Sequence, residues 1–254
     1  LFSNKNFLVE NLLKKHLPII YLFFVIIFLT RKRVLMTPNK EDYLKCIYEL
    51  GQLDQKITNK LIAEKMAFSA PAVSEMLKKM VAEELISKDV KAGYLLSQTA
   101  LEMVSSLYRK HRLIEVFLVE QLGYSPEEVH EEAEILEHTV SDHFINRLDL
   151  LLEQPQTCPH GGSIPQAGQP LIERYQTRLS QITETGYYQL VRIHDFYQLL
   201  QYLEQHDLAV GDQLVVTDFD SFAQTITIQY KGKELAVPTT IAQQLYIEKT
   251  NRPN

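Results

Sequence analysis

The sequence predicts a mainly α chain that ends in a small β domain. Three observations predict it. Apolar residues recur at helical spacing from Tyr43 to Leu151, a Pro/Gly-rich stretch interrupts the chain at 153–170, and short strands separated by turn signals fill most of 186–250. The domains expected are 36–98, 99–175 (containing the 153–170 linker) and 176–254, with 1–35 standing apart.

In 36–98, Tyr43, Leu44, Ile47 and Leu50 share one helical face, stopped by Gly51. Thr58 is placed to cap a helix over 60–66. Ser69 opens a longer helix with Pro71 in its first turn, where proline is tolerated, and Val73, Met76, Leu77 and Met80 form its apolar stripe. Leu85-Ile86 and Tyr94-Leu95-Leu96 read as two strands joined by a turn over 88–93. Helix, helix, turn, helix and a two-stranded wing is the winged helix-turn-helix pattern.

In 99–152, Leu101, Val104, Leu107, Leu113, Ile114 and Phe117 form one stripe; Gly123-Tyr124 breaks it and Ser125-Pro126-Glu127-Glu128 restarts a helix. Ile135, Val140, Phe144, Leu148 and Leu151 continue the pattern, with Glu134 and His138 placed on its inward face. A helix is expected over 171–183 and another over 195–205 with Asp195 as its cap. The remaining strands, Leu214–Val216, Thr225–Tyr230 and Glu234–Val237 among them, fit a five-stranded SH3-like barrel.

Composition narrows the classes. Of 254 residues 45% are hydrophobic and 23% charged, an ordinary globular balance, and the net charge of −6 excludes a uniformly basic surface. Two cysteines, Cys46 and Cys158, exclude a disulfide framework and suit a reducing cytoplasm. Leu17–Leu29 is uncharged but spans 13 residues, short of the roughly 20 a membrane span needs, and it lacks a small-residue cleavage site. The first methionine is Met36, so 1–35 reads as upstream sequence or a wrongly assigned start rather than a membrane anchor. No nucleophile motif or phosphate-cradling glycine loop is present.

The start of the third helix supplies Ser69, Ala70, Pro71, Ala72, Ser74 and Glu75 as candidate groove contacts. Small side chains permit close approach, Ala72 suits a thymine methyl, and Glu75 suits a cytosine amine. Lys78, Lys79, Lys88 and Lys91 are candidate phosphate contacts. Across 56–98 lysines slightly outnumber acids, the right sign for DNA but a small contrast; a protein-binding winged helix has the same pattern.

The acidic helices carry the sharper signal. His111 and Glu115 lie one turn apart, and Glu134, Glu137 and His138 share one face, with His130 a turn earlier. Asp42 on the first helix, Cys158 and His160 in the linker, and Asp195 add further donors. A lone His–Glu pair is usually a surface contact, and a run of glutamates is usually a solvated face. In register on adjacent helices, however, so many carboxylates are too costly to bury without a cation. Cys46, between Leu44 and Ile47, reads as core. A carboxylate-bridged di-metal enzyme wants Glu-x-x-His pairs, and here Glu134 is followed by Glu137 before His138, so that pattern fails.

Met36-Thr-Pro-Asn-Lys-Glu-Asp-Tyr-Leu, Ser69-Ala-Pro-Ala-Val-Ser, His111-Arg-Leu-Ile-Glu115, Glu134-Ile-Leu-Glu-His138 and Cys158-Pro-His-Gly161 together resemble the diphtheria-toxin-repressor/manganese-transport-regulator family of metalloregulators, in particular its three-domain manganese-dependent branch. The resemblance covers 36–250. It implies a cytoplasmic, homodimeric, Mn²⁺-activated repressor that binds double-stranded operator DNA to control manganese or iron uptake, with a helical dimerisation domain and a FeoA-like β domain. It implies no small-molecule substrate, and no membrane unless 1–35 is native. About two Mn²⁺ per subunit are implied, with Fe²⁺ or Zn²⁺ as stand-ins. One site would use Glu115, Cys158, His160 and Asp195, the other Asp42, His111, Glu134, Glu137 and His138. The iron type has a thiol at Glu134 and a methionine at Asp42, so the oxygen donors here favour a harder ion. Lys45 stands where the two-domain manganese type has a glutamate, which argues against a binuclear cluster; His130, an ancillary ligand in the iron type, is left open between ligand and spectator. The alternative is a winged-helix regulator answering Fe²⁺, Zn²⁺ or a non-metal signal.

Overall fold

The computed structural model describes residues 40–251 apart from 54 and 127, so every expectation for 1–35 lies outside the described residues. The first unit contains α1 (Lys40–Gly51), α2 (Asn59–Met66), α3 (Ala70–Ala82) and the wing β1 (Ile86–Asp89) and β2 (Gly93–Leu96). Thr58 and Ser69 cap α2 and α3 as the sequence predicts, each accepting from a backbone N–H of the first turn. Leu44, Ile47, Ile62, Val73, Leu77 and Met80 close one core, which Ala100, Val104 and Tyr108 of the next helix complete. Gly93 (φ 86°) pairs with Ile57 so closely that a Cβ there would stand 1.9 Å from the Ile57 carbonyl oxygen, which seats the wing on the chain entering α2.

The helix α4 (Gln98–Leu122) runs on from the wing, capped by Ser97, into a second core shared with α5 (Val129–Glu137) and α6 (Asp142–Leu151). The continuous pattern expected across 129–151 breaks at 138–141, where Ser141 caps α6. Ile135, Phe144 and Leu151, assigned to the inward stripe, are instead 46%, 47% and 63% exposed. Their face of α5 and α6 is turned away from α4, whose neighbours Val129, Ala133, Ile145 and Leu148 take the buried positions.

The expected helix over 171–183 is absent; a single 3₁₀ turn, Leu179–Gln181, is all that forms. Its carbonyls are engaged elsewhere: Tyr175 O accepts from Arg192 Nε and Thr177 O from Ile247 N, while Arg178 pairs with Tyr246. Beyond it, β3 (Gly186–Ile193), α7 (Tyr197–His206), β4 (Gln213–Asp220), β5 (Thr225–Tyr230), β6 (Lys233–Pro238), α8 (Thr239–Ala242) and β7 (Leu245–Lys249) make the β domain. The sheet is antiparallel in the order β6-β5-β4-β3-β7, with bulges in the β3–β7 and β4–β5 pairings. Leu190, Leu199, Leu214, Ile228 and Val237 fill its core. No helix among the described residues is long and apolar enough to cross a membrane.

Candidate metal centres and nucleic-acid interface

His111 is the hub of the acidic helices. It is fully buried on α4, with Nδ1 2.6 Å from Glu137 Oε2 and Nε2 3.1 Å from Glu115 Oε1 and 3.6 Å from Asp195 Oδ2. The His130 ring meets it edge-on, 5.3 Å between centroids. Glu115, one turn along α4, also lies 3.0 Å from His160 Nδ1. His160 is fixed by its other nitrogen, which donates to Pro126 O at 2.8 Å and so leaves Nδ1 facing the cluster. The Cys158–Gly161 turn that presents it is pressed on β3: Gly161 has φ 78°, and a Cβ would stand 2.0 Å from Val191 O.

Three groups of side chains hold their donor atoms within 4.8 Å of one another: His111, Glu115, His130 and Asp195; Glu115, Cys158 and His160; and Asp42, Glu137 and His138. This partition differs from the expected one. His130, left open by the sequence, joins the first group. Asp195 does not cap α7, whose start has no side-chain cap, but turns toward His111 instead. Glu134 belongs to none of the groups; its side chain is half exposed and 3.4 Å from Lys45 Nζ. His111 belongs to the first group rather than the third, and reaches the third through Glu137, 2.6 Å from its Nδ1. Glu41, which the sequence did not single out, is 2.8 Å from His138 Nδ1, while Asp42 is 2.9 Å from its Nε2.

The donors fit a divalent ion. Glu115 Oε2 and His130 Nδ1 are buried and make no hydrogen bond, which a bound cation relieves and an apolar core does not. Histidine, carboxylate and thiol are the donor types of first-row metals. Without an ion, protons and one ammonium balance the charge. Burial and Lys45 both work against a charged His111, yet Glu115 and Glu137 carry its pKa up to about 10. Hydrogen bonds to Asp42 and Glu41 raise His138 to about 10. Burial opposes ionisation of Glu115, but His160 and His111 hold it well below the carboxylate range. Burial, followed by the Glu115 charge, pushes the Cys158 thiol to about 11. His130 moves the other way, depressed chiefly by burial. Lys45, nearly buried on α1, sits 3.5 Å from Glu137 and over the Tyr108 ring at 5.7 Å. It is a tethered cation among the carboxylates.

Three parts of the chain therefore meet here: α1 through Asp42 and Lys45, α4, α5 and the residue after α5 through His111, Glu115, His130, Glu137 and His138, and the β domain through Asp195. A second contact reinforces the junction. Arg112 donates to Glu173 at 2.6 Å and Ser163 O at 2.5 Å, and Glu173 Oε2 accepts from Ser163 N. Nothing local in the sequence marks Glu173; its partners are far along the chain.

At the start of α3, Ser69, Ala70, Pro71, Ala72 and Glu75 are exposed, as are Lys78 and Lys79, on the face opposite Val73, Leu77 and Met80. Ser74 is the exception: it is half-buried, and its hydroxyl accepts from Asn59 Nδ2 at 2.9 Å. The wing tip carries Lys88, Lys91 and an 88% exposed Val90, its turn fixed by Asp89 Oδ1, which accepts from Lys91 N and Ala92 N at 2.7 Å.

Three family models match in order: the iron dependent repressor N-terminal DNA binding domain over 35–93, the iron dependent repressor metal binding and dimerisation domain over 98–166, and the FeoA domain over 177–249. The diphtheria toxin repressor of Corynebacterium diphtheriae is 26% identical over 223 residues, covering 82% of this chain and 96% of that protein. The manganese regulator SloR is 59% identical, with a TM-score of 0.80 over 85% of this chain and 100% of its own. The metal-dependent transcriptional regulator MtsR is 59% identical with a TM-score of 0.79 over 85% and 100%. ScaR with bound Zn²⁺ is 56% identical with a TM-score of 0.80 over 84% and 100%. A DNA-binding head, a metal-binding helical unit and a FeoA domain in this order, together with the 59% identity to SloR over the whole of its chain, place the chain in the diphtheria-toxin-repressor family of metal-dependent transcriptional repressors, which are not enzymes.

Proposed function

We propose that this chain is a Mn²⁺-activated, homodimeric repressor that binds operator DNA of metal-uptake genes in the cytoplasm. The observation that carries the reading is the junction of three chain segments on adjoining donor groups: Asp42 of the DNA-reading unit with Glu137 and His138, and Asp195 of the β domain with His111, Glu115 and His130. A divalent ion supplies the charge that lets these carboxylates and imidazoles converge. The chain does the rest. Asp42 ties α1 to His138 beside α5, and Asp195 ties the β domain to His111, so the reading head is held on the dimer helices. A head held at one spacing matches successive major grooves, whereas a free one must first be ordered. DNA is read by Ser69, Ala70, Pro71, Ala72 and Glu75, with Lys78, Lys79, Lys88 and Lys91 on phosphates. The exposed Ile135, Phe144, Leu150 and Leu151, within the stretch matched by the dimerisation model, supply the apolar face for a second copy.

The manganese assignment draws support from oxygen-rich donors at Asp42, Glu137 and His138 and from the manganese regulators among the relatives. Zn²⁺ is the second reading, favoured by the Cys158 thiol beside His160. The test is fluorescence anisotropy of the full chain on a labelled promoter duplex from a manganese-uptake operon, in chelator and then with Mn²⁺ or Zn²⁺. Tight binding with Mn²⁺ alone is expected. Equal binding in chelator removes metal sensing, and a response to Zn²⁺ but not Mn²⁺ transfers the reading to zinc.

A further inference from the structure

One carboxamide joins three elements of the reading head, α2, α3 and β2. Asn59, the first residue of α2, donates from Nδ2 to Ser74 Oγ on α3 at 2.9 Å and accepts at Oδ1 from the Tyr94 hydroxyl on β2 at 2.8 Å. Tyr94 is buried, with its ring in the core of the head. The chain entering α2 grips the wing at three more points: Ile57 N donates to Ala92 O at 2.9 Å, Ile57 pairs with Gly93, and Lys56 Nζ donates to Val90 O at 2.7 Å. The Ser74 oxygen is occupied by Asn59, so its own O–H remains as a donor.

We propose that Asn59 and Tyr94 are positioning residues for operator binding, which align wing and recognition helix as one body and orient the Ser74 hydroxyl as a donor to a DNA phosphate. The inference rests on the reading of α3 as the helix that meets DNA. It narrows the role of Ser74, which the sequence leaves open between bases and phosphates, to phosphate donor, because a half-buried hydroxyl bonded to Asn59 is poorly placed to enter a groove with Ala72 and Glu75. A neutral donor adds affinity through geometry and displaces no counterion. The relay therefore differs from the lysines in its salt signature.

The experiment measures anisotropy of the full chain with saturating Mn²⁺ on the same promoter duplex, across a salt series. The variants are Asn59→Ala, Tyr94→Phe, Ser74→Ala, the double Asn59→Ala/Ser74→Ala, and Lys78→Ala for comparison. Tyr94→Phe keeps the buried ring and so tests the relay even where Asn59→Ala disturbs folding. Each relay variant is expected to weaken binding about 3- to 10-fold. The double is expected to lose no more than the worse single, because all act through one contact. The slope of log affinity against log salt should not change in these variants, while Lys78→Ala should lower it by about one. Wild-type affinity in Asn59→Ala and Tyr94→Phe beside a weakened Lys78→Ala overturns the relay alone. Strictly additive losses, or an altered slope in the relay variants, also overturn it. A Lys78→Ala that binds as wild type overturns the reading of α3 as well.

Discussion

Replacing Glu115 by glutamine turns one fully buried carboxylate into a neutral amide of nearly the same size. In the metal-free protein that carboxylate lies 3.1 Å from His111 Nε2 and 3.0 Å from His160 Nδ1, and both imidazoles have pKa values raised above the usual range despite burial, through Glu115 among others. Removing one member of a buried charged group costs about 3–5 kcal/mol. The amide oxygen still accepts from one imidazole, so the low end, about 3 kcal/mol, applies. For a chain of this size, each kcal/mol moves Tm by roughly 2–4 °C, giving a fall of about 6–12 °C in chelator at pH 7. The sign follows from the raised imidazoles. Their contribution is complete below the ordinary histidine pKa and is lost as pH climbs through about 10 for His111, so the gap between wild type and variant should narrow in strongly alkaline buffer. Glu115 also belongs to two of the three donor groups, and the amide supplies no anionic ligand. The rise in Tm on adding Mn²⁺ should therefore shrink, and Mn²⁺ should improve DNA affinity by a factor smaller by about 5- to 150-fold, the usual span of a coupling free energy. Differential scanning fluorimetry with chelator and then Mn²⁺, followed by anisotropy on DNA, reads both. Wild-type Tm in chelator together with a wild-type Mn²⁺ gain would refute the placing of Glu115 at the centre of the site.

Three further outcomes are expected. Lys45→Met removes the ammonium 3.5 Å from Glu137, so Mn²⁺ affinity at the Asp42/Glu137/His138 group should rise about tenfold or more, because a unit charge facing a divalent ion at short range is worth at least ~1.4 kcal/mol; equilibrium dialysis with no gain would contradict this. Gly93→Ala places a Cβ 1.9 Å from Ile57 O at φ 86°, and should destabilise the chain by about 3 kcal/mol in urea unfolding, from left-handed strain and overpacking together. His111 and His138 stay protonated up to about pH 10 in the metal-free protein, so Mn²⁺ binding at pH 7 should release protons and weaken as pH falls, whereas His130, already depressed, releases none; calorimetry in buffers of different ionisation enthalpy measures the count, and zero release would exclude these imidazoles as ligands.

Much was legible in the sequence because it was local. Thr58, Ser69 and Pro71 mark helix starts through bonds within one turn, and the Val73/Leu77/Met80 stripe and the paired donors of α4 and α5 need only helical periodicity. The chain by itself thus determined a winged helix, an acidic helical unit, a β domain and most of the side chains that converge in the three donor groups. Periodicity does not say which neighbour claims a face, and three assignments changed for that reason. Glu134 and Ile135 lie on the open side of α5, the segment 171–183 gives its carbonyls to Arg192 and β7 instead of to a helix, and Asp195 turns toward His111 rather than capping α7. Lys45 among the carboxylates, Glu173 on Arg112 and the Tyr94–Asn59–Ser74 relay depend on partners tens of residues apart. Only the tertiary structure decided them, because the energy of such a contact resides in a distance that no stretch of sequence contains.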